Sequence, residues 1–364
     1  MQKNEIYVIQ GKEYKKMTRQ ILEESRLAEL IPNPQACVGI KPNLVSPSEA
    51  SYGATTHPEV VEGIVEYLQE RGFQNLVILE GSWVGDRTKE AVKVCGYDRL
   101  CEKYGVPFWD TQKDKGVLEN CGEMSLNICS CVKKIDFLIN VPVWKGHCQT
   151  RITCALKNLK GLIPNSEKRR FHTLGLHQPI ACLNRGIRQD FVVVDHICGD
   201  LDFEDGGNPV ICDQILTARD PVLCDAYVCY KMHYSIDQVP YIQMAQKLGV
   251  GSADLTKLKV RYCQEMEAER ELPSDRKIVE LQDAVEEVES CSACYGYLIP
   301  ALDMLREEGI LEKLQDKICI GQGFRGKSGK VGIGQCTRKF EYSLEGCPPT
   351  ENQIYEFLKK YILK

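Results

Sequence analysis

The chain has 364 residues, 43% of them hydrophobic and 27% charged, and a formal net charge of -5. These are globular values that exclude long disorder, and a mildly acidic chain is a poor polyanion binder, so no nucleic-acid partner is expected. The N-terminus has no basic segment leading into a long apolar run, and no apolar run nears the ~18 residues of a membrane span. A cytoplasmic protein with no membrane partner is therefore expected.

Apolar strands and amphipathic helices alternate from the start. Glu5 to Ile9 reads as a strand, the stretch after Lys12 as a helix, and Cys37 to Pro42 as a strand running into a loop. The stretch from His57 to Arg71 carries Val60, Val61, Ile64, Val65 and Leu68 at helical spacing. Thr56 and Glu59 suggest a capping box, Pro58 suits the first turn, and Gly72 ends the helix. Asn75 to Leu79, Asp136 to Val141 and Phe191 to Val194 read as buried strands, and Cys129-Ser130-Cys131 as part of an alternating one. This pattern predicts an α/β fold, a largely parallel sheet with helices on both faces. Function in such sheets sits at the carboxyl ends of strands. That rule gathers Lys41, Asn43, Glu80, Lys145, His147 and Asp195 at one rim.

Pro273-Ser274-Asp275-Arg276 interrupts the alternation, and a charged helix from Lys277 to Ser290 is expected after it. Beyond lies a small C-terminal α/β cysteine-rich module, with a helix reaching to about Leu314, strands around Ile318 and Val331, and a last helix from near Thr350. The expected division is an α/β domain over residues 1–275 and an iron–sulfur module over residues 286–364.

Nineteen cysteines need an account. An odd number in an unexported chain argues against a disulfide framework and suits an anaerobe. Cys95, Cys182, Cys198, Cys212, Cys224, Cys229 and Cys263 have apolar neighbours and read as small core residues. Cys291, Cys294, Cys336 and Cys347 differ. Cys291-Ser292-Ala293-Cys294 lets two thiolates converge, and glycines stand near Cys336 and before Cys347. Four thiolates meet the needs of a [4Fe-4S] cluster or of a tetrahedral zinc. Only one close cysteine pair is present, which favours iron–sulfur over a zinc ribbon. Cys319 reads as a core residue of its strand. Gly346-Cys347-Pro348-Pro349, with Thr350 and a helix behind it, resembles the last cluster ligand of hydrogenase small subunits and of the related complex I subunit.

From Lys145 to His172 there are seven Lys or Arg residues and one acidic residue. The core of this stretch, Ala155 to Pro164, is half apolar, so some of its charge is buried. Lys41, Asn43, Lys145, Lys157, Asn158 and Lys160 are the candidate binding residues for an anionic small molecule, a carboxylate or a phosphate. A solvated helix face is the alternative for the segment, and Lys168, in the polar stretch after Pro164, is expected to lie in solvent. Asp195, Asp200, Asp202, Glu204 and Asp205 follow, and could pair with the basic segment, hold a cation or supply a base. His147 and Asp195 are the candidate catalytic groups.

Lys41-Pro42-Asn43-Leu44-Val45, Thr55 to Val61, Asn140-Val141-Pro142, Lys145-Gly146-His147, Ala155 to Gly161, Val194-Asp195 and Asp220 to Ala226 together resemble the domain of unknown function 362 family. The resemblance implies a link to iron–sulfur domains in proteins of anaerobes and archaea, and no established reaction. This chain lacks the doubled ferredoxin cysteine run of such domains. A redox enzyme or electron-transfer protein, an iron–sulfur oxidoreductase with an electron-transfer partner protein, is the first expectation. A non-redox lyase or isomerase of a carboxylate, with a structural cluster, is the second, and a cluster carrier or assembly protein the third. No Rossmann or Walker fingerprint occurs, and flavin stays open because its sites lack one short signature.

Overall fold

A computed structural model of the protein describes residues 1–204, 206–264, 271–274 and 276–364. Eight strands form one sheet, in spatial order Lys259–Tyr262, Glu5–Gln10, Pro209–Ala218, Phe191–Asp200, Phe137–Val141, Val38–Pro42, Leu76–Glu80 and Phe108–Asp110. Only Pro209–Ala218 runs against its two neighbours, and the remaining pairs are parallel. Val38–Pro42, Leu76–Glu80 and Phe137–Val141 are buried along their whole length, as strands covered on both faces must be. The α/β expectation holds.

Each face has its own core. One gathers Ile9, Ile21, Val60, Ile64 and Leu68 under the helices Tyr14–Glu24 and Pro58–Glu70. The other gathers Leu156, Leu183, Val194, Val228 and Ile242 under helices that include His177–Gly186, Pro221–Lys231 and Pro240–Lys247. A second, four-stranded parallel sheet, Val285–Glu287, Ile318–Ile320, Val331–Ile333 and Tyr342–Leu344, packs with helices Ser292–Glu307 and Glu351–Ile362. Its apolar cluster also takes in Cys148 and Phe203 from the large unit. Among the described residues, no helix is long and apolar enough to cross a membrane.

Several local expectations change. The helix expected from Lys277 to Ser290 ends at Leu281, and the chain then pairs as the strand Val285–Glu287. Val285 and Val288 stand three apart, which is helical spacing, and it is the parallel pairing with Ile318–Ile320 that makes this stretch a strand. Asp205 and Asp275 lie outside the described residues. Arg276, from the expected linker, is buried and donates to the Met232 carbonyl at 3.2 Å. Thr56 does not cap the helix after it. Its hydroxyl bonds the Val141 carbonyl at 2.8 Å and accepts the Asn43 N–H at 2.8 Å, joining two strand ends instead. Cys129 ends a strand, whereas Cys131 sits in the 3-10 turn Ser130–Lys134, so the two do not share a strand face. The strand expected at Phe191 to Val194 runs on to Asp200.

Candidate functional site

The carboxyl ends of the three central parallel strands open on one cavity of about 90 Å3. Asn43 follows the strand Val38–Pro42, and Glu80 ends Leu76–Glu80. Lys145 and Thr153 face each other across the hairpin Lys145–His147 and Arg151–Thr153, just beyond Phe137–Val141. The short helix Ala155–Asn158 and the turn Leu159–Leu162 bring in Lys157, Asn158 and Lys160, and the helix Asn165–Thr173 adds Lys168, Arg169 and His172. Asp225 fixes the start of this segment by accepting the N–H groups of Ala155 and Leu156 at 2.7 and 3.1 Å. Gly161 allows the walls to meet, because a Cβ there would stand 1.7 Å from the Glu80 carboxylate.

Charge in this cavity is buried and only partly paired. Lys41 is fully buried and its Nζ meets Glu80 Oε2 at 2.5 Å. Burial lowers its pKa against the pull of Glu80. Lys145 donates to the carbonyls of Ala54 and Glu204, both at 2.6 Å. Lys168 corrects the expectation of a solvated residue. It is buried and donates to the Gly81 and Ser82 carbonyls at 2.8 and 2.7 Å, and burial pushes its pKa down to about 8. It faces inward from a helix in which Phe171 is the one apolar residue, so sequence composition hid it. Lys157 stands 3.9 Å from Glu204 Oε2. Burial, and then the charge of Lys157, push Lys160 down to about 7.

His147 and Glu204 form a buried pair, His147 Nε2 on Glu204 Oε2. The His147 Nδ1 accepts N–H bonds from Gln149 and Thr150 at 3.0 and 3.2 Å, so the ring proton belongs on Nε2, toward the carboxylate. Burial holds His147 neutral, down to about 3. Burial also opposes ionisation of Glu204, yet His147 and Lys157 keep that carboxylate ionised, down to about 2. His147 thus reaches the cavity through Glu204, as Lys41 does through Glu80.

Asp195 lies apart from the lining. It accepts the His57 ring Nδ1–H and backbone N–H at 2.8 and 2.7 Å, so the structure separates it from His147. Asp200 accepts the N–H groups of Asp202, Phe203 and Asn208, which makes it a loop organiser. Among the described residues of the acidic stretch, only Glu204 joins the cavity. Asn158 lines it and donates to Asn140 at 2.7 Å. Trp83 and Thr153 were not singled out in the sequence. The hairpin register that pairs Thr153 with Lys145 is the signal that could have found it.

Against this cavity lies a second small space lined by Cys291, Cys294, Cys336 and Cys347. Cys291 directly precedes the helix Ser292–Glu307 and Cys294 sits in its first turn. Cys336 and Cys347 follow the last two strands of the small sheet. Gly334, at φ +91°, has its absent Cβ aimed inward, 3.9 Å from Cys294 Sγ. The thiols sense one another: burial, then the neighbouring sulfurs, raise the pKa of both Cys291 and Cys294. Cys336 raises the pKa of Arg325, which lines the same space. Cys347 is exposed and the other three are partly buried. Cys319 is also partly buried rather than core, and turns to Glu286 at 3.7 Å. Cys291 and Arg169 line both spaces.

Two other groups bring three possible metal ligands within 4.8 Å, His147, Cys148 and Glu204, and Cys154, Cys224 and Asp225. In each the ligand atoms already serve protein contacts, His147 to Glu204 and Asp225 to the helix start. The four C-terminal sulfurs are more widely spread, since among the described residues no three of them lie that close.

A family model described as a domain of unknown function (DUF362) matches residues 38–230. A thylakoid-associated protein of Synechocystis sp. is 25% identical over 133 residues, 36% of this chain and 41% of that protein's length. Among solved structures, the lactate racemase apoprotein from Thermoanaerobacterium thermosaccharolyticum aligns with a TM-score of 0.42 and 15% identity, over 62% of this chain and 56% of that one. A likeness that loose carries no argument about chemistry.

Proposed function

Because the chain belongs to the DUF362 family, whose function is unknown, we propose a function from its own two spaces: an iron–sulfur protein that exchanges electrons with a small anion. The observation that carries this is Cys291, which lines both the four-thiol space and the cation-rich cavity. The donor set fits a [4Fe-4S] cluster. Zinc bound at ~2.3 Å wants sulfurs roughly 3.8 Å apart, and these four are not gathered so tightly. The likeness of Gly346-Cys347-Pro348-Pro349 to the last cluster ligand of hydrogenase small subunits adds support. A cluster held there would supply one-electron chemistry at the cavity wall.

The chain's own groups do the rest. Lys157 and Lys160 attract the anion, and Lys145 and Lys168 hold the loops that shape the cavity. Glu204, steadied by His147, takes or gives a proton at its carboxylate. Residues 1–275 supply most of the anion cavity, and residues 286–364 supply the thiols and, through Cys291, Ser292 and Ala293, one wall of that cavity. The same Glu204 carboxylate would serve a non-redox lyase or isomerase of a carboxylate, with the cluster structural.

Anaerobic purification tests the reading. The protein is expected to be brown, with broad absorption near ~400 nm and about four irons and four sulfides per chain. Colourless protein with one zinc per chain rejects it. An absorption band that bleaches with dithionite and returns when a bound anion is reduced supports the redox role over the non-redox one.

A further inference from the structure

We propose that the cavity is built for a compact dianion, a ligand with two negative charges on neighbouring oxygens, as in a phosphate monoester or a short dicarboxylate. This rests on the reading above only in placing the ligand there. Among the described residues the lining cations outnumber the carboxylates. Lys145, Lys157, Lys160, Lys168 and Arg169 line the walls, against Glu80 and Glu204. Glu80 is taken by Lys41. The carbonyls that bind Lys168 satisfy its hydrogen bonds but cancel no charge. Glu204, the other lining carboxylate, stands 3.9 Å from Lys157. Lys160 has no carboxylate or carbonyl partner among the described residues, and its ammonium faces the Phe171 ring at 5.9 Å.

A second observation is independent of charge. Thr153 Oγ1 and His172 Nδ1 belong to residues only 2% and 7% exposed, line the same cavity, and lack a hydrogen-bond partner among the described residues. Buried polar atoms are seldom left unpaired, and these two supply hydrogen bonds to a ligand's oxygens. Two negative charges offset more of this cationic excess than one does.

Proton linkage gives the inference a signature. Lys160 is pushed down to about 7, by burial, Lys157 and Lys168, while Glu204 and Cys291 work the other way. His147 and His172 also face it, both held neutral by burial. A bound dianion favours the ammonium, so binding near neutral pH takes up a proton at Lys160, and affinity falls as pH rises above about 7.

Titration calorimetry of the full chain with sulfate, malonate and acetate, at pH 7 in two buffers of different ionisation enthalpy, tests this. Sulfate and malonate separate a tetrahedral from a dicarboxylate preference, and neither titrates near pH 7. At least one is expected to bind at least tenfold more tightly than acetate, with uptake of about half a proton. Lys160→Met is expected to lose at least tenfold in affinity while melting as the parent does. Lys160→Arg is expected to keep affinity within a few-fold and lose the proton uptake, because arginine stays charged. Acetate binding as tightly as both dianions, or undiminished uptake in Lys160→Arg, overturns the inference. Iron assays on the same samples, and on Cys336→Ser/Cys347→Ser, whose cysteines do not line the cavity, separate the two readings. Dianion binding without iron upholds the ligand class and rejects the cluster; iron without dianion preference does the reverse.

Discussion

Asp195 is buried with no lysine or arginine paired to it among the described residues, and its carboxylate is met by His57 and by the N–H groups of His57 and Ile197. Burial works against protonating His57, but the charge of Asp195 and its hydrogen bond win, and His57 is raised to about 10. The stabilisation is therefore complete below the unfolded value near ~6.5 and is lost as pH rises through about 10. Asp195→Asn is expected to cost roughly a few kcal/mol at pH 6–7, with the gap to the parent closing toward pH 10. Melting temperatures of both proteins across that range check this, and a gap that widens with pH would contradict it. At this scale the sequence was readable where residue type is decisive. The four C-terminal cysteines line one small space, and glycines beside them were the sequence sign that set them apart. Lys168 was not readable, since nothing in Glu167-Lys168-Arg169-Arg170 marks which side chain turns inward. Asp195 was misread as a cavity group because strand-end position places a residue near a rim without saying which way it faces.

The elements were legible wherever apolar spacing was long and regular. The helix Pro58–Glu70 and the strands Val38–Pro42 and Phe137–Val141 appear within a residue or two of expectation. Short, charged pieces were not. Val285–Glu287 is a strand because Ile318–Ile320 offers it a parallel partner, a tertiary fact that local propensity does not contain. The hairpin of Lys145 and Thr153 is equally short, three residues a side, and its pairing is what turns two polar side chains to one cavity. The reversed strand Pro209–Ala218 also escaped notice, because an isolated strand does not reveal its direction.

Over the whole molecule, the proposed division at residues 275 and 286 cuts across packing that is shared. Cys148 and Phe203 lie in the apolar cluster of Ile278, Leu298, Ile299 and Ile320. Trp83 stacks edge-on against Tyr297, ring centres 5.4 Å apart, and Ser292 bonds the His172 ring at 3.3 Å. A fragment ending at residue 275 keeps both sheet-face cores, so it is expected to retain its far-ultraviolet circular dichroism. It is also expected to melt several degrees lower, to bind a hydrophobic dye and to carry no iron. Complete aggregation would mean that the two parts fold as one core. Length and composition allowed either one domain or two. The contacts that decide how tightly they join involve residues more than a hundred positions apart, such as Gln149 with Ser290, and no local pattern announces them.

The uneven exposure of the four thiols gives the metal-free protein a chemical order of vulnerability. Cys347 stands in solvent, whereas burial and its sulfur neighbours keep Cys294 protonated. Only thiolates that a reagent can touch react quickly. Iodoacetamide should therefore consume Cys347 first and Cys294 last, as mass mapping over time would record, and equal rates would contradict it. Air acts by the same rule. Weathering of an empty centre would begin at its outer rim, on the most exposed cysteine, and would reach the more buried wall that Cys291 shares with the ligand chamber later.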